Sequence, residues 1–229
     1  MSSKVIASIK DVRKIYRMGT VEVEVLRGVS LEFYAGEYIS IMGPSGCGKS
    51  TMLNLLGCLD RPTHGSYILD GQDVSKIEDD DLSAIRGRKL GFIFQSYNLI
   101  QQLSVLENIE VPLFYQGRPE EESRAIAIDL AKLVGLESRM HHKPFELSGG
   151  QQQRVGIARS LANDPVVLLA DEPTGNLDST SGKDILKIFA DLHERGKTII
   201  MVTHDQGIGK LTTRCVRFSD GKVESDVRR

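Results

Sequence analysis

Residues 43–50, which read GPSGCGKS, have the residue types and spacing that bind the phosphates of a nucleotide. The glycines allow backbone N–H groups to close around phosphate oxygens, and Lys49 can reach the β and γ phosphates. The hydroxyl of Ser50 is a suitable ligand for Mg²⁺. Cys47 lies in the same loop near a helix start, so we expect a reactive thiol. A chance glycine-rich turn is the alternative to a phosphate site.

Two carboxylates follow the apolar run 166–170. Asp171 is placed to hold Mg²⁺ through water, and Glu172 to orient or deprotonate an attacking water molecule. Taken alone, such a doublet is also compatible with a solvated strand end. A further apolar run, 199–202, is followed by Thr203 and His204, and a turn histidine is the ordinary alternative there.

Residues 147–151, LSGGQ, distinguish this sequence from many other proteins with a phosphate loop. Ser148 and Gln151 have the spacing of a capping box, so the segment is compatible with a simple helix start. Two adjacent glycines, Gly149 and Gly150, are costly at that position and favour a close approach of the backbone to a ligand. We therefore interpret this segment as a ligand-binding helix start.

The elements that position these residues are predicted from hydrophobic patterns. Continuous apolar runs at 38–42, 166–170 and 199–202 predict strands covered on both faces of a parallel sheet. Alternation near residues 21–25 predicts an antiparallel β layer. An apolar helical pattern after the phosphate loop extends to Leu59. The sequence therefore predicts an α/β fold.

Residues 95–149 contain mainly helical patterns. One predicted helix begins at Ser104, where Glu107 completes a capping box. We therefore predict a single domain over residues 1–229 with a helical subdomain at about 95–149.

Composition excludes several classes of function. The chain has 229 residues, of which 40% are hydrophobic and 26% charged, enough to bury a core. The net charge of −2, with both signs mixed, provides no basic block for nucleic acid. No apolar run approaches the roughly 20 residues of a membrane span, and the N-terminal residues lack the core of a signal peptide, so we expect a cytoplasmic location. Three cysteines without CxxC spacing argue against a disulfide framework and a zinc site.

In their order along essentially the whole chain, these motifs resemble those of the ATP-binding subunit of an ABC (ATP-binding-cassette) transporter. Residues 42–54, 94–99 and 171–178 are further similar to the branch that holds lipoprotein-releasing LolD and macrolide-exporting MacB. The resemblance implies the ABC ATPase fold, a phosphate-loop core with a parallel sheet, an antiparallel β layer and a helical subdomain. It implies ATP and Mg²⁺ as cofactors.

The resemblance also implies roles for single residues. Glu172, His204 and Gln95 are implied as catalytic, and Ser50, Gln95 and Asp171 as metal-binding. Tyr16 is implied to stack on adenine, a contact worth about 1 to 3 kcal/mol in comparable base stacking, although a strand-edge tyrosine is equally compatible with the sequence. The implied nucleotide-binding set is Tyr16, Gly43, Pro44, Ser45, Gly46, Cys47, Gly48, Lys49, Ser50, Thr51, Ser148, Gly149, Gly150 and Gln151.

In this family two copies face each other head to tail, so that ATP lies between the Lys49 loop of one copy and the Ser148 segment of the other. The resemblance thus implies a second copy and a separate transmembrane permease as partners, with a location on the inner face of the cell membrane. Residues 97–113 are the implied permease contact, and ordinary core packing is an equal alternative for their apolar side chains.

Other classes fit less well. A small-molecule kinase would share the phosphate loop but not residues 147–151, and a GTPase should carry a base-reading motif that no asparagine here provides. A chromosome-maintenance ATPase needs a long coiled coil, for which the interval between Lys49 and Ser148 is too short. A mechanotransmission ATPase similar to FtsE, which drives a membrane partner that does not transport, stays open as an alternative.

Overall fold

The computed structural model describes residues 4–229. The strands, in chain order, are β1 (Val5–Met18), β2 (Val21–Tyr34), β3 (Tyr38–Met42), β4 (His64–Leu69), β5 (Gln72–Asp73), β6 (Leu90–Ile93), β7 (Val167–Asp171), β8 (Ile199–Val202), β9 (Arg214–Ser219) and β10 (Lys222–Arg228). The α-helices are α1 (Lys49–Leu56), α2 (Asp79–Lys89), α3 (Val105–Tyr115), α4 (Glu120–Leu133), α5 (Gly149–Leu161), α6 (Ser179–Glu194) and α7 (Gln206–Gly209), with short 3₁₀ turns at Glu137–Arg139 and Pro144–Glu146.

The chain divides into two compact units. The first contains residues 4–84 and Gly196–Arg229, and the second Ile85–Arg195. Whether residues 95–149 form a subdomain of their own stays a prediction. Within the part of the chain that the structure describes, no helix is both long enough and apolar enough to cross a membrane.

The first unit contains both an antiparallel and a parallel set of strands. β1 pairs antiparallel with β2 and β4, and β5 extends β4, which confirms the predicted antiparallel layer. β3 pairs in parallel with β8 and β9, and β10 pairs antiparallel with β9. Every residue of β3 and β8 is buried, as expected for apolar runs covered on both faces.

Helix α1 follows the phosphate loop in the first unit. Its buried face consists of Lys49 and four apolar residues, and the helix ends at Leu56 with Gly57 as its C-cap. The predicted extension to Leu59 is wrong, since Leu59 lies beyond the helix and is 47% exposed. The chain turns at Cys58, whose φ is 54° and therefore not helical.

The second unit combines β6 and β7, which pair in parallel, with α3, α4 and α5, which pack on one another. Local chemistry fixes the helix starts. The backbone N–H of Ser104 donates to Glu107 Oε2 at 2.7 Å, and the Glu107 N–H donates to Ser104 Oγ at 3.3 Å, so the predicted capping box is confirmed. Asp178 caps α6 by accepting from the N–H groups of Thr180 and Ser181.

Candidate functional site

The phosphate loop, residues 43–50, takes its shape from glycines in the left-handed region. The φ values of Gly43, Gly46 and Gly48 are 153°, 78° and 103°. A Cβ at Gly43 would lie 2.3 Å from the carbonyl oxygen of Phe218, so no side chain fits there without displacing backbone. Gly48 is the N-cap of α1 and no side chain of the described residues caps this end of the helix. The first N–H groups of α1 therefore suit an anion.

Lys49 points its ammonium into this loop. Its Nζ donates to the carbonyl oxygens of Gly43 and Pro44, each at 2.8 Å, and the residue is 9% exposed. Two of the three N–H donors of the ammonium thus bind the loop backbone, so that the loop surrounds a positive charge. Ser45 and Ser50 are exposed. Cys47 is only 4% exposed, so the thiol that was predicted to be reactive is shielded from solvent; its reactivity stays a prediction.

Tyr16, the residue expected to contact adenine, is half-buried on β1 and held by two neighbours. Its hydroxyl donates to Asp60 Oδ2 at 2.7 Å, and Lys14 Nζ lies 4.8 Å from its ring centroid. Lys14 Nζ also donates to Asp60 Oδ1 and to the Arg61 carbonyl. The ammonium of Lys14 therefore covers one face of the Tyr16 ring.

Electrostatics around this tyrosine follow from the same contacts. Burial would raise the pKa of the Asp60 carboxyl, but hydrogen bonds from Lys14 and Tyr16 outweigh it and hold the pKa below its ordinary value. Burial, with the Asp60 contact, raises the pKa of the Tyr16 phenol. Sequence reasoning missed Lys14 and Asp60, although Lys14 stands two residues from Tyr16 on the same face of a strand.

His204 follows β8 and is exposed. It lines a cavity of about 410 Å³ together with Gly43 and Pro44 of the phosphate loop. Arg217 and Glu224, from β9 and β10, line the same cavity. The first unit therefore brings His204 and the start of the loop together.

The LSGGQ segment lies in the second unit and begins α5. Ser148 N–H donates to Gln151 Oε1 at 2.9 Å, and Gln151 N–H donates to Ser148 Oγ at 3.3 Å. A Cβ at Gly149 would lie 2.8 Å from the Tyr97 hydroxyl, and one at Gly150 would lie 3.0 Å from Ser181 Cβ. Close packing against Tyr97 and Ser181 therefore explains why glycine is present at both positions, which was not predicted from the sequence.

Asp171 is the last residue of β7, and Glu172 follows it with φ 43°, in the left-handed region. Both residues are half-buried. Gln95 lies beside the following turn, since its Nε2 donates to Asn176 Oδ1 and its carbonyl accepts from Asn176 Nδ2, both at 3.1 Å. A Cβ at Gly175 would lie 2.7 Å from Gln95 Nε2. The second unit therefore brings Gln95 to the turn that follows the two carboxylates, a pairing that the sequence did not predict.

Comparison with known proteins agrees with this geometry. Residues 26–175 match the family described as ABC transporter. An ABC transporter ATP-binding protein of Thermotoga maritima is 54% identical over 226 residues, which cover 99% of this chain and 97% of that protein. The macrolide export ATP-binding/permease protein MacB of Brucella melitensis is 46% identical over 226 residues, 99% of this chain but 35% of MacB.

Solved structures are similar over nearly the whole chain. The dimeric post-hydrolysis structure of the ATP-binding cassette MJ0796, bound to ADP and Pi, matches with a TM-score of 0.89 and 45% identity, covering 97% of this chain and 98% of that one. The predicted ABC ATPase fold is therefore confirmed. The chain spans about a third of the length of the MacB relatives. Because the family match covers well over half of its residues, the chain belongs to the ABC transporter family, in which it is an ATP-binding cassette.

Proposed function

We propose that this chain is the ATP-hydrolysing subunit of a membrane transporter and powers export or lipoprotein release through a separate permease. The observation that carries the proposal is the phosphate loop, in which Lys49 is held at the start of an uncapped helix. The MJ0796 structure, a dimer bound to ADP and Pi, supports both hydrolysis and pairing. The MacB relatives join an ATP-binding part to a permease in one protein, which supports a transmembrane partner.

We assign nucleotide binding residue by residue. The N–H groups of residues 43–51 surround the phosphates, and Lys49 exchanges its loop carbonyls for the β and γ phosphates. Tyr16 stacks on the adenine. The Ser148–Gln151 segment contacts the ATP that is bound to the loop of a second copy.

The residues assigned to the metal fit Mg²⁺. Ser50, Gln95 and Asp171 offer oxygen ligands, which Mg²⁺ prefers, and Mg²⁺ takes few protein ligands when it arrives with substrate phosphates. Within residues 4–229 there is no cluster of three or more His, Cys, Asp or Glu side chains suited to a metal. When bound, Mg²⁺ neutralises charge on the phosphates.

Glu172 is assigned to hydrolysis. Its carboxylate orients the attacking water and accepts its proton, while Gln95 and His204 hold groups around the γ-phosphate. ATP favours the closed pair of cassettes through its γ-phosphate, and hydrolysis removes that preference. We further propose that residues 97–113 form the permease contact and that the chain lies on the inner face of the cell membrane.

Glu172→Gln tests this function, because it keeps the side-chain shape but removes the basic carboxylate. ATP binding should persist while hydrolysis falls by about 10² to 10⁴. MgATP, and not MgADP, should then convert the variant from monomer to dimer on a sizing column. The matched control is Glu194→Gln, the same change at an exposed position at the end of α6, which should hydrolyse ATP at the parental rate. A Glu172→Gln variant that hydrolyses at the parental rate, or stays monomeric at saturating MgATP, would contradict the proposal.

A further inference from the structure

A fully buried glutamine of α5, Gln153, contacts the segment that carries Glu172. Gln153 is 0% exposed, and its Nε2 donates to the carbonyl oxygen of Pro173 at 2.7 Å. Its Oε1 is also buried and has no hydrogen-bond partner among the described residues. Burying an amide that is only half satisfied costs stability compared with an apolar side chain. The position therefore calls for a reason other than packing.

The backbone that Gln153 holds is strained. Glu172 has φ 43°, a conformation that non-glycine residues adopt at a cost of about 1 to 3 kcal/mol. Glu172 also precedes a proline, and the residue before a proline is normally restricted to extended conformations. Such a conformation persists only where surrounding contacts impose it.

The contacts that hold this turn differ in their protection from water. Gly175 N–H donates to the Glu172 carbonyl at 2.9 Å and closes the turn from within. Gln95 and Asn176 pair beside it, but both residues are exposed, so water competes for their amides. The bond from Gln153 to Pro173 is buried at both ends. Of these three contacts, it is therefore the one best shielded from water, and it fixes the backbone next to Glu172.

We propose that Gln153 is a positioning residue for ATP hydrolysis, which fixes the strained backbone at residues 172–173 so that the Glu172 carboxylate meets the attacking water. The proposal rests on the hydrolytic role proposed for Glu172. Gln153 acts through the Pro173 carbonyl and does not touch the nucleotide. Since Ser148 is the N-cap of α5, the helix that contacts the ATP of a second copy would also position the carboxylate of its own chain.

Gln153→Met removes the donor and keeps the length of the side chain. We expect kcat of ATP hydrolysis to fall about 10- to 100-fold, the range that a misplacement of about 1 Å produces. The dissociation constant for MgATP should change less than about twofold, because the residue does not contact the nucleotide. A purely structural role would instead lower the amount of active protein and leave kcat per folded molecule unchanged.

Gln153→Glu supplies a second readout. Burial raises the pKa of the introduced carboxyl, so in its protonated form it can still donate to the Pro173 carbonyl. The kcat of this variant, divided by that of the parental chain at the same pH, should be close to one near pH 6 and fall by at least about tenfold toward pH 9 as the donor proton is lost. A flat ratio between these pH values would overturn the proposal.

Asn163→Leu is the matched control. Asn163 Nδ2 also donates to backbone carbonyls, those of Gly87 and Pro112 at 2.8 and 3.2 Å, and its Oδ1 is likewise buried without a hydrogen-bond partner among the described residues. Its contacts do not involve residues 171–176. This variant leaves backbone carbonyls without their side-chain donor, as Gln153→Met does, yet should keep the parental kcat.

A double variant separates this proposal from the proposed function. If Gln153 acts through Glu172, Gln153→Met should slow the parental chain but leave the residual rate of Glu172→Gln unchanged. Equal slowing in both backgrounds, or a parental kcat for Gln153→Met, would overturn the role of Gln153. Failure of the proposed function is distinguished from these results, because Glu172→Gln alone would then hydrolyse ATP at the parental rate.

Discussion

Arg159, near the end of α5, holds two consecutive residues in the left-handed conformation. Its Nη1 donates to the carbonyl oxygen of Asn98 at 2.6 Å and its Nη2 to that of Tyr97 at 2.9 Å. The φ values of Tyr97 and Asn98 are 61° and 49°. Burial lowers the pKa of the Arg159 guanidinium. The group is thus partly desolvated and makes hydrogen bonds to these two carbonyls in place of water. We therefore predict that Arg159→Met releases the turn at residues 97–98.

The magnitude follows from the lost bonds. Hydrogen bonds to a charged donor contribute about 1.5 to 3 kcal/mol each, and a left-handed non-glycine residue costs about 1 to 2 kcal/mol. Asn98 is exposed, so water compensates in part for the hydrogen bond that its carbonyl oxygen loses. We expect Arg159→Met to lower the free energy of unfolding by about 2 to 4 kcal/mol, and the melting temperature by about 5 to 15 °C.

Urea unfolding of Arg159→Met and of a matched control measures this effect. Arg154→Met is the control, since Arg154 lies on the same helix but pairs with Asp184 at 2.9 Å, where the side chains are 27% and 55% exposed. Such a surface pair contributes about 0 to 1 kcal/mol. Amide hydrogen exchange of residues 95–99 should accelerate in Arg159→Met alone. If both variants lose the same free energy, or if exchange at residues 95–99 does not change, the role assigned to Arg159 is refuted.

Two further predictions concern the first unit. The hydrogen bond and charge of Arg214, whose side chain is 4% exposed, lower the pKa of the Asp226 carboxyl. The stability that this carboxylate contributes is therefore present above about pH 4 and is lost as the pH falls through the pKa of the folded state. Asp226→Asn should lower the free energy of unfolding by about 1 to 2 kcal/mol at pH 7 and by clearly less at pH 3.5, and a difference that does not depend on pH would contradict this prediction. Asp60→Asn should weaken ATP binding, measured by calorimetry, about 3- to 10-fold, because it loosens Tyr16, the residue proposed to stack on adenine. Binding of inorganic triphosphate should not change. Equal weakening of both ligands would contradict the stacking role of Tyr16.

The sequence predicted those elements whose signal is local or continuous. β3 and β8 were found because each is an apolar run of five or four residues, a length and pattern typical of a strand that is buried on both faces. The capping boxes at Ser104 and Ser148 were found because their donors and acceptors lie three residues apart. β9 and β10 were missed. β10 is mostly polar and exposed, and the buried Arg214 of β9 depends on the distant partners Glu37 and Asp226.

The candidate site shows the same contrast between features with a local sequence signal and contacts between residues that are distant in the sequence. Motifs give the positions of the phosphate loop and of the carboxylates, because their chemistry requires fixed residue types at fixed spacing. The contacts of Gln153 and Arg159 have no such signal. Gln153 stands in the polar run 151–154, which predicts exposure to solvent, and its burial follows only from packing of the second unit. Arg159 stands among apolar residues, and nothing in the sequence names the carbonyls that it binds.

The positions of these residues on α5 have a mechanical consequence under the proposed function. Ser148 begins the helix, Gln153 binds the Pro173 carbonyl and Arg159 binds the carbonyls of Tyr97 and Asn98. Backbone hydrogen bonds make a helix of this length, about 20 Å, resist bending, so a displacement at its first residue is carried to both contacts. If the ATP of a second copy engages Ser148 as proposed, it would act through this one helix on the carboxylate assigned to hydrolysis and on the segment assigned to the permease. A ligand shifts the equilibrium between two positions of an element only if it makes different contacts with that element in the two positions. ATP would therefore have to make different contacts with α5 in two positions of this helix.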